Sequence, residues 1–126
     1  MAEVDKFTGD SVVQVDASTG ADLQGYISQA FLIRASGAAA TAIDLEESDD
    51  DITYGNIASD DLLFTDTDGA SSEGIPADSK IADGDTGIVV YRGVARYIRG
   101  SATGATIDVI RGLPQRRANP DNSIAP

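Results

Sequence analysis

The sequence predicts an all-β domain, a small barrel or sandwich, with an extended C-terminal arm and little helix. Three observations predict it. Pro, Gly, Ser, Asn and Asp punctuate the chain at roughly eight- to twelve-residue intervals, the spacing of short strands joined by turns. The segment 86–99 is dense in β-branched and aromatic residues, the side chains that pack best on a pleated surface. From Gly112 onward the apolar pattern stops, and Leu113-Pro114, Arg116-Arg117, Asn119-Pro120 and Pro126 describe an extended arm. The division is therefore a β-rich domain over residues 1–111 and an arm over 112–126.

Taken in chain order, residues 11–15 form a short β-type run. Residues 26–34 are apolar and fit a strand or a helix. Residues 38–45 are rich in Ala, the best helix former, and fit one or two helical turns, while 43–47 fit a strand with Ile43 and Leu45 on one face. Asp49, Asp50 and Asp51 are a like-charge run, expected in a solvated loop. Residues 62–65 are a short apolar run between Asp60-Asp61 and the turn residues 66–69, and 66–80 reads as a long loop. Within 86–99, Arg92-Gly93 near the middle suits a tight turn, giving a hairpin with arms at 87–91 and 94–99. Residues 106–110 add a strand with Ile107 and Val109 on one face.

The 126 residues allow one domain with its own core, burying roughly 65% of the unfolded surface. Cys and His are both absent, which removes disulfides, thiolate chemistry, the commonest general base and the commonest metal ligand. An enzyme is not expected. No phosphate-binding loop, dinucleotide fingerprint or nucleophile elbow is present. The Asp66 to Gly69 stretch resembles part of a calcium loop. With Gly69 at loop position 6, however, positions 1 and 12 hold Phe64 and Ile75, where acids are required. Asp60-Asp61 lacks an aromatic-lined cleft that would raise a carboxyl pKa. No catalytic residue, cofactor, metal or small-molecule substrate is expected.

Charge carries more information. Nine basic residues stand against 21 acidic ones, a net −12. Residues 1–90 hold 19 acids and three bases, a balance of −16, and residues 91–126 hold two acids and six bases, a balance of +4. Those six are all arginines: Arg92, Arg96, Arg99, Arg111, Arg116 and Arg117. Arginine forms bidentate pairs with carboxylates, so these six are the candidate partner-binding residues, docking on an acidic neighbour such as a second copy. The acidic body argues against nucleic acid and anionic membrane as partners. Residues 1–10 lack an apolar leader core and the longest strongly apolar run, 88–91, is too short to span a bilayer, so a soluble chain without an export signal is expected. The excess of Asp over Glu and of Arg over Lys suggests a halophilic source, since dense surface carboxylates repel weakly at high salt.

The residues 80–110 carry a resemblance. Ile81-Ala82-Asp83-Gly84-Asp85, Gly87-Ile88-Val89-Val90-Tyr91, Arg92-Gly93-Val94-Ala95 and Gly104-Ala105-Thr106-Ile107 resemble the capsid decoration, or cement, proteins of tailed viruses. The resemblance implies a structural virion protein on the outer capsid surface, bound to the major capsid protein, clamping neighbouring subunits and assembled as a homo-oligomer, with a trimer favoured. The rival expectation is a carbohydrate- or surface-binding β-module of a viral fibre or cell-surface protein. Such modules display aromatic platforms, for which this chain offers only Tyr26, Tyr54, Tyr91 and Tyr97.

Overall fold

A computed structural model describes residues 11–66, 69–76 and 80–114. The fold is all-β: the described residues form ten antiparallel strands in two sheets, with a single 3-10 turn at Ser59–Asp61. The strands are β1 (Val12–Val15), β2 (Ala21–Asp22), β3 (Tyr26–Ala35), β4 (Thr41–Ser48), β5 (Gly55–Asn56), β6 (Leu62–Thr65), β7 (Ser71–Glu73), β8 (Thr86–Tyr91), β9 (Tyr97–Thr103) and β10 (Ala105–Pro114). One sheet has six strands in the order β1-β10-β3-β8-β6-β7, and the other has four in the order β2-β9-β4-β5.

Alternation of side chains fixes which face of each strand turns inward. In β8, Gly87, Val89 and Tyr91 are buried and Thr86, Ile88 and Val90 are exposed. Phe31 and Ile33 of β3, Ile107 and Val109 of β10, and Leu62 and Phe64 of β6 join them from the six-stranded sheet. Ala21, Ile43, Leu45 and Ile98 meet them from the four-stranded sheet, forming one continuous core. The result is a two-layer sandwich.

The chain changes sheets at six of its nine strand connections, and only β4–β5 and β6–β7 join neighbours within one sheet. This overturns the hairpin expected over 87–99. β8 lies in the six-stranded sheet between β3 and β6, whereas β9 lies in the other sheet between β2 and β4. Residues 92–96 are a crossover. Gly93 is there for a different reason from a tight turn: a Cβ at this position would fall 2.4 Å from the Tyr91 hydroxyl and 2.5 Å from its ring. The buried phenol needs the backbone of residue 93 bare.

The helical turns expected over 38–45 are absent. Residues 36–40 form a loop and β4 follows, the strand option for 43–47, because Ile43 and Leu45 gain more from the shared core than Ala gains from helix propensity. Ala42 takes a positive φ of 51° where the β4–β9 register slips between Thr41 and Asp44, a bulge at the start of the strand. The segment 26–34 is a strand. Within 66–80, the three residues of β7 pair with β6, so the long loop carries a short edge strand. All three are exposed, leaving no apolar signal to read. β10 runs past the expected domain boundary, with Gly112 opposite Ser28 and Pro114 opposite Tyr26. The rest of the expected arm, with Arg116 and Arg117, lies outside the described residues.

Candidate functional site: one end of the sandwich

Four described arginines of the expected partner-binding set are placed by three elements. Arg92 and Arg96 sit on the 92–96 crossover, Arg111 near the end of β10, and Arg99 on the outer face of β9. The crossover leaves β8 beside the beginnings of β3 and β6 and enters β9 beside the end of β4. Arg92, Arg96 and Arg111 therefore gather at one end of the sandwich, and the described chain itself stops there, at Pro114.

Each of these arginines already has partners in its own chain. Arg96 grips the Asp22 carboxylate with both Nε and Nη2, at 3.0 and 2.9 Å. This bidentate pair holds the Asp22 carboxyl below the usual carboxylate range. Arg111 Nη1 donates to the Asp22 backbone carbonyl at 2.7 Å, so one residue of β2 ties the crossover to β10. Arg92 donates to the Asp60 carbonyl at 3.0 Å and stands 3.6 Å from Glu73. Arg99 pairs with Glu46 directly across from it on β4, at 2.8 Å. Three guanidiniums also lie over tyrosine rings: Arg96 over Tyr97 at 5.0 Å, Arg99 over Tyr54 at 3.8 Å and Arg111 over Tyr26 at 4.6 Å. Arg92, Arg96, Arg99 and Arg111 thus lace the end of the sandwich to its own acids.

The lacing holds two loops in fixed shapes. In the crossover, the Tyr91 hydroxyl donates to Glu47 Oε1 at 2.6 Å and accepts the Ala95 N–H at 3.0 Å. Burial, together with the bond to Glu47, pushes the Tyr91 hydroxyl well above the usual phenol range, so it stays protonated. In the β4–β5 loop, Asp50 Oδ1 accepts the N–H groups of Ile52 and Thr53, both at 2.9 Å, and the Ser48 hydroxyl at 2.9 Å. These bonds lower the Asp50 carboxyl pKa. Tyr54 closes the loop by donating to Asp51. The Asp run is a solvated loop, as expected, but one with a specific internal scaffold.

At the tips stand two apolar side chains that the core does not use. Val94 is fully exposed and Ile52 is 83% exposed. Between the two loops lies an open cleft of about 330 Å³ lined by Glu47, Asp49, Asp61 and Val94. On the other side of Val94 is a second cleft of about 530 Å³, lined by Gln24, Tyr26, Gln29 and Arg96. Val94 forms the ridge between them. Sequence reasoning placed Val94 inside a strand and gave Ile52 no role. An isolated β-branched residue between Gly93 and Ala95 gave no hint that the chain leaves its sheet there.

Among the described residues, no group of three or more Asp, Glu, His or Cys is arranged to hold a metal ion. This end of the sandwich is apolar at its tips and held by hydrogen bonds beneath them. No family model, curated protein or solved structure matches the chain.

Proposed function

We propose that this chain is a structural virion protein that binds the outer surface of a viral capsid. In this role it docks on the major capsid protein and clamps neighbouring subunits together, with no chemical step of its own. The observation that carries the proposal is the pair of exposed apolar tips, Val94 and Ile52, on loops locked by internal hydrogen bonds. A pre-shaped apolar tip loses little conformational freedom on docking, so most of its burial goes into affinity. Arg92, Arg96 and Arg111 are already paired within the chain, so we assign contacts with acidic groups on the shell to Arg116 and Arg117. Co-sedimentation of the purified chain with viral capsids from the organism or virus that encodes it tests this. A fixed number of copies per shell is expected, and a chain left in the supernatant at micromolar concentration would rule it out.

A halophilic source completes the proposal. Asp49, Asp50, Asp51 and Asp60 are all exposed at this end, with Asp61 beside them. Their repulsion is screened as the Debye length falls from about 10 Å at 0.1 M salt to about 3 Å at 1 M. Melting temperature is expected to rise steadily from about 0.1 M to about 2 M KCl; a flat or falling curve would contradict the halophilic origin.

A glycan-binding module is the second reading, favoured by one observation, the 530 Å³ cleft that combines the Tyr26 ring with the amides of Gln24 and Gln29. Specific retention on a glycan array, abolished by Tyr26→Ala, would favour it over capsid attachment.

A further inference from the structure

The six-stranded sheet has a second apolar surface, on its outward side. Strand register lines up Val12, Ile110, Ala30, Val90 and Leu63 in one row across β1, β10, β3, β8 and β6. Leu32 and Ile88 sit side by side in the adjoining row. In a sandwich with one solvated face per sheet, these outward positions would be polar. The outer side of the four-stranded sheet follows that rule, carrying Asp44, Glu46, Arg99 and Ser101.

We propose that this outward face is the contact surface for a second copy of the chain, the two six-stranded sheets packing face to face about a two-fold axis. Charge selects the occupant. The chain carries −12, so copies that meet elsewhere bring acid against acid. On this face the central charged pair is Arg34 and Asp108, closed at 2.7 Å, and the rim pair is Arg92 and Glu73. Among the described residues the charged side chains on this face pair with one another, so the face is close to neutral within an acidic molecule. An apolar row that crosses five of the six strands, ending at Glu73 of β7 with Arg92 beside it, can meet itself under a two-fold axis, which is what an isologous contact requires. Six strands at ~4.8 Å spacing, with about three outward positions per strand on average, give ~500 Å² per copy, about 1,000 Å² in all, enough for a specific though modest contact.

This inference is separate from capsid attachment, which uses the loop tips at the end of the sandwich rather than the sheet face. Sedimentation equilibrium of the full chain in about 1 M KCl, where residual repulsion is screened, tests it. Twice the 13.0 kDa chain mass is expected. Val90→Asp should weaken the dimer on the order of 100-fold, and Val12→Asp, on the edge strand, should act in the same direction with less risk to the fold. Both variants should keep the wild-type far-UV spectrum, and Val94→Asp should leave the mass unchanged. A 13.0 kDa species at every concentration overturns the proposal and gives the face to another occupant. A trimer, or any assembly whose mass survives both Val90→Asp and Val12→Asp, overturns it too.

Discussion

Replacing Phe31 with alanine is expected to cost ~3–5 kcal/mol, the range for emptying a fully buried aromatic site. Phe31 has no exposed surface and sits on β3, between Val109 of β10 and Val89 of β8. Both neighbours are themselves buried in register, so the strands cannot close over the gap without breaking pairs on either side. A domain of this length has only ~5–15 kcal/mol of stability to lose. At about 4 °C per kcal/mol the melting temperature should fall by roughly 12–20 °C. A fall of only a degree or two in a thermal melt would mean that Phe31 is not at the centre of the sandwich, and the strand order would need revision.

Replacing Tyr91 with phenylalanine is expected to cost ~1–3 kcal/mol, the penalty for leaving partly buried polar groups without partners. The ring stays, so the core keeps its volume. What goes is the hydroxyl that joins Glu47 of β4 to the Ala95 N–H of the crossover. That hydroxyl lies between elements of opposite sheets, so its loss loosens the point where the chain passes from one sheet to the other. The crossover, with Val94 at its crest, should become more mobile. Amide exchange at Ala95 is therefore expected to speed up by more than the global loss of stability explains. Unchanged exchange at Ala95 would show that the crossover is held by its arginines alone.

These two residues mark the limit of what the sequence alone conveys. The alternation through Ile107 and Val109 is local, and it placed β10 and its inward face; the β-branched run over 87–91 placed β8, whereas residues 26–34 fit a strand or a helix until their pairing with β10 and β8 decided for the strand. Which strand pairs with which is not local. Tyr91 and Tyr97 are six residues apart yet belong to different sheets, and a glycine between two β-rich arms has the same appearance whether it turns back or crosses over. The two-residue β2 and β5 are too short to show a period, and the all-polar β7 is exposed throughout and offers no apolar signal. The arginine-rich end was visible as composition. Its pairing was not, because Arg96 finds Asp22, and Arg99 finds Glu46, only after the fold has brought distant segments together. The exposure of Ile52 and Val94 was hidden for the same reason, since burial is decided by topology.

The proposal that this end of the sandwich attaches the chain to a capsid is tested most directly by substitution of its two apolar tips. Ile52 and Val94 lie outside the core, so the double variant Ile52→Asp, Val94→Asp should melt within a few degrees of the wild type. Titrated in a sedimentation assay against the capsids that the proposal assigns to it, it is expected to bind at least ~100-fold more weakly than the wild type, because each tip would carry a charge into an apolar contact. A folded double variant that decorates the same shells at wild-type affinity would contradict the account and move the attachment site elsewhere on the molecule.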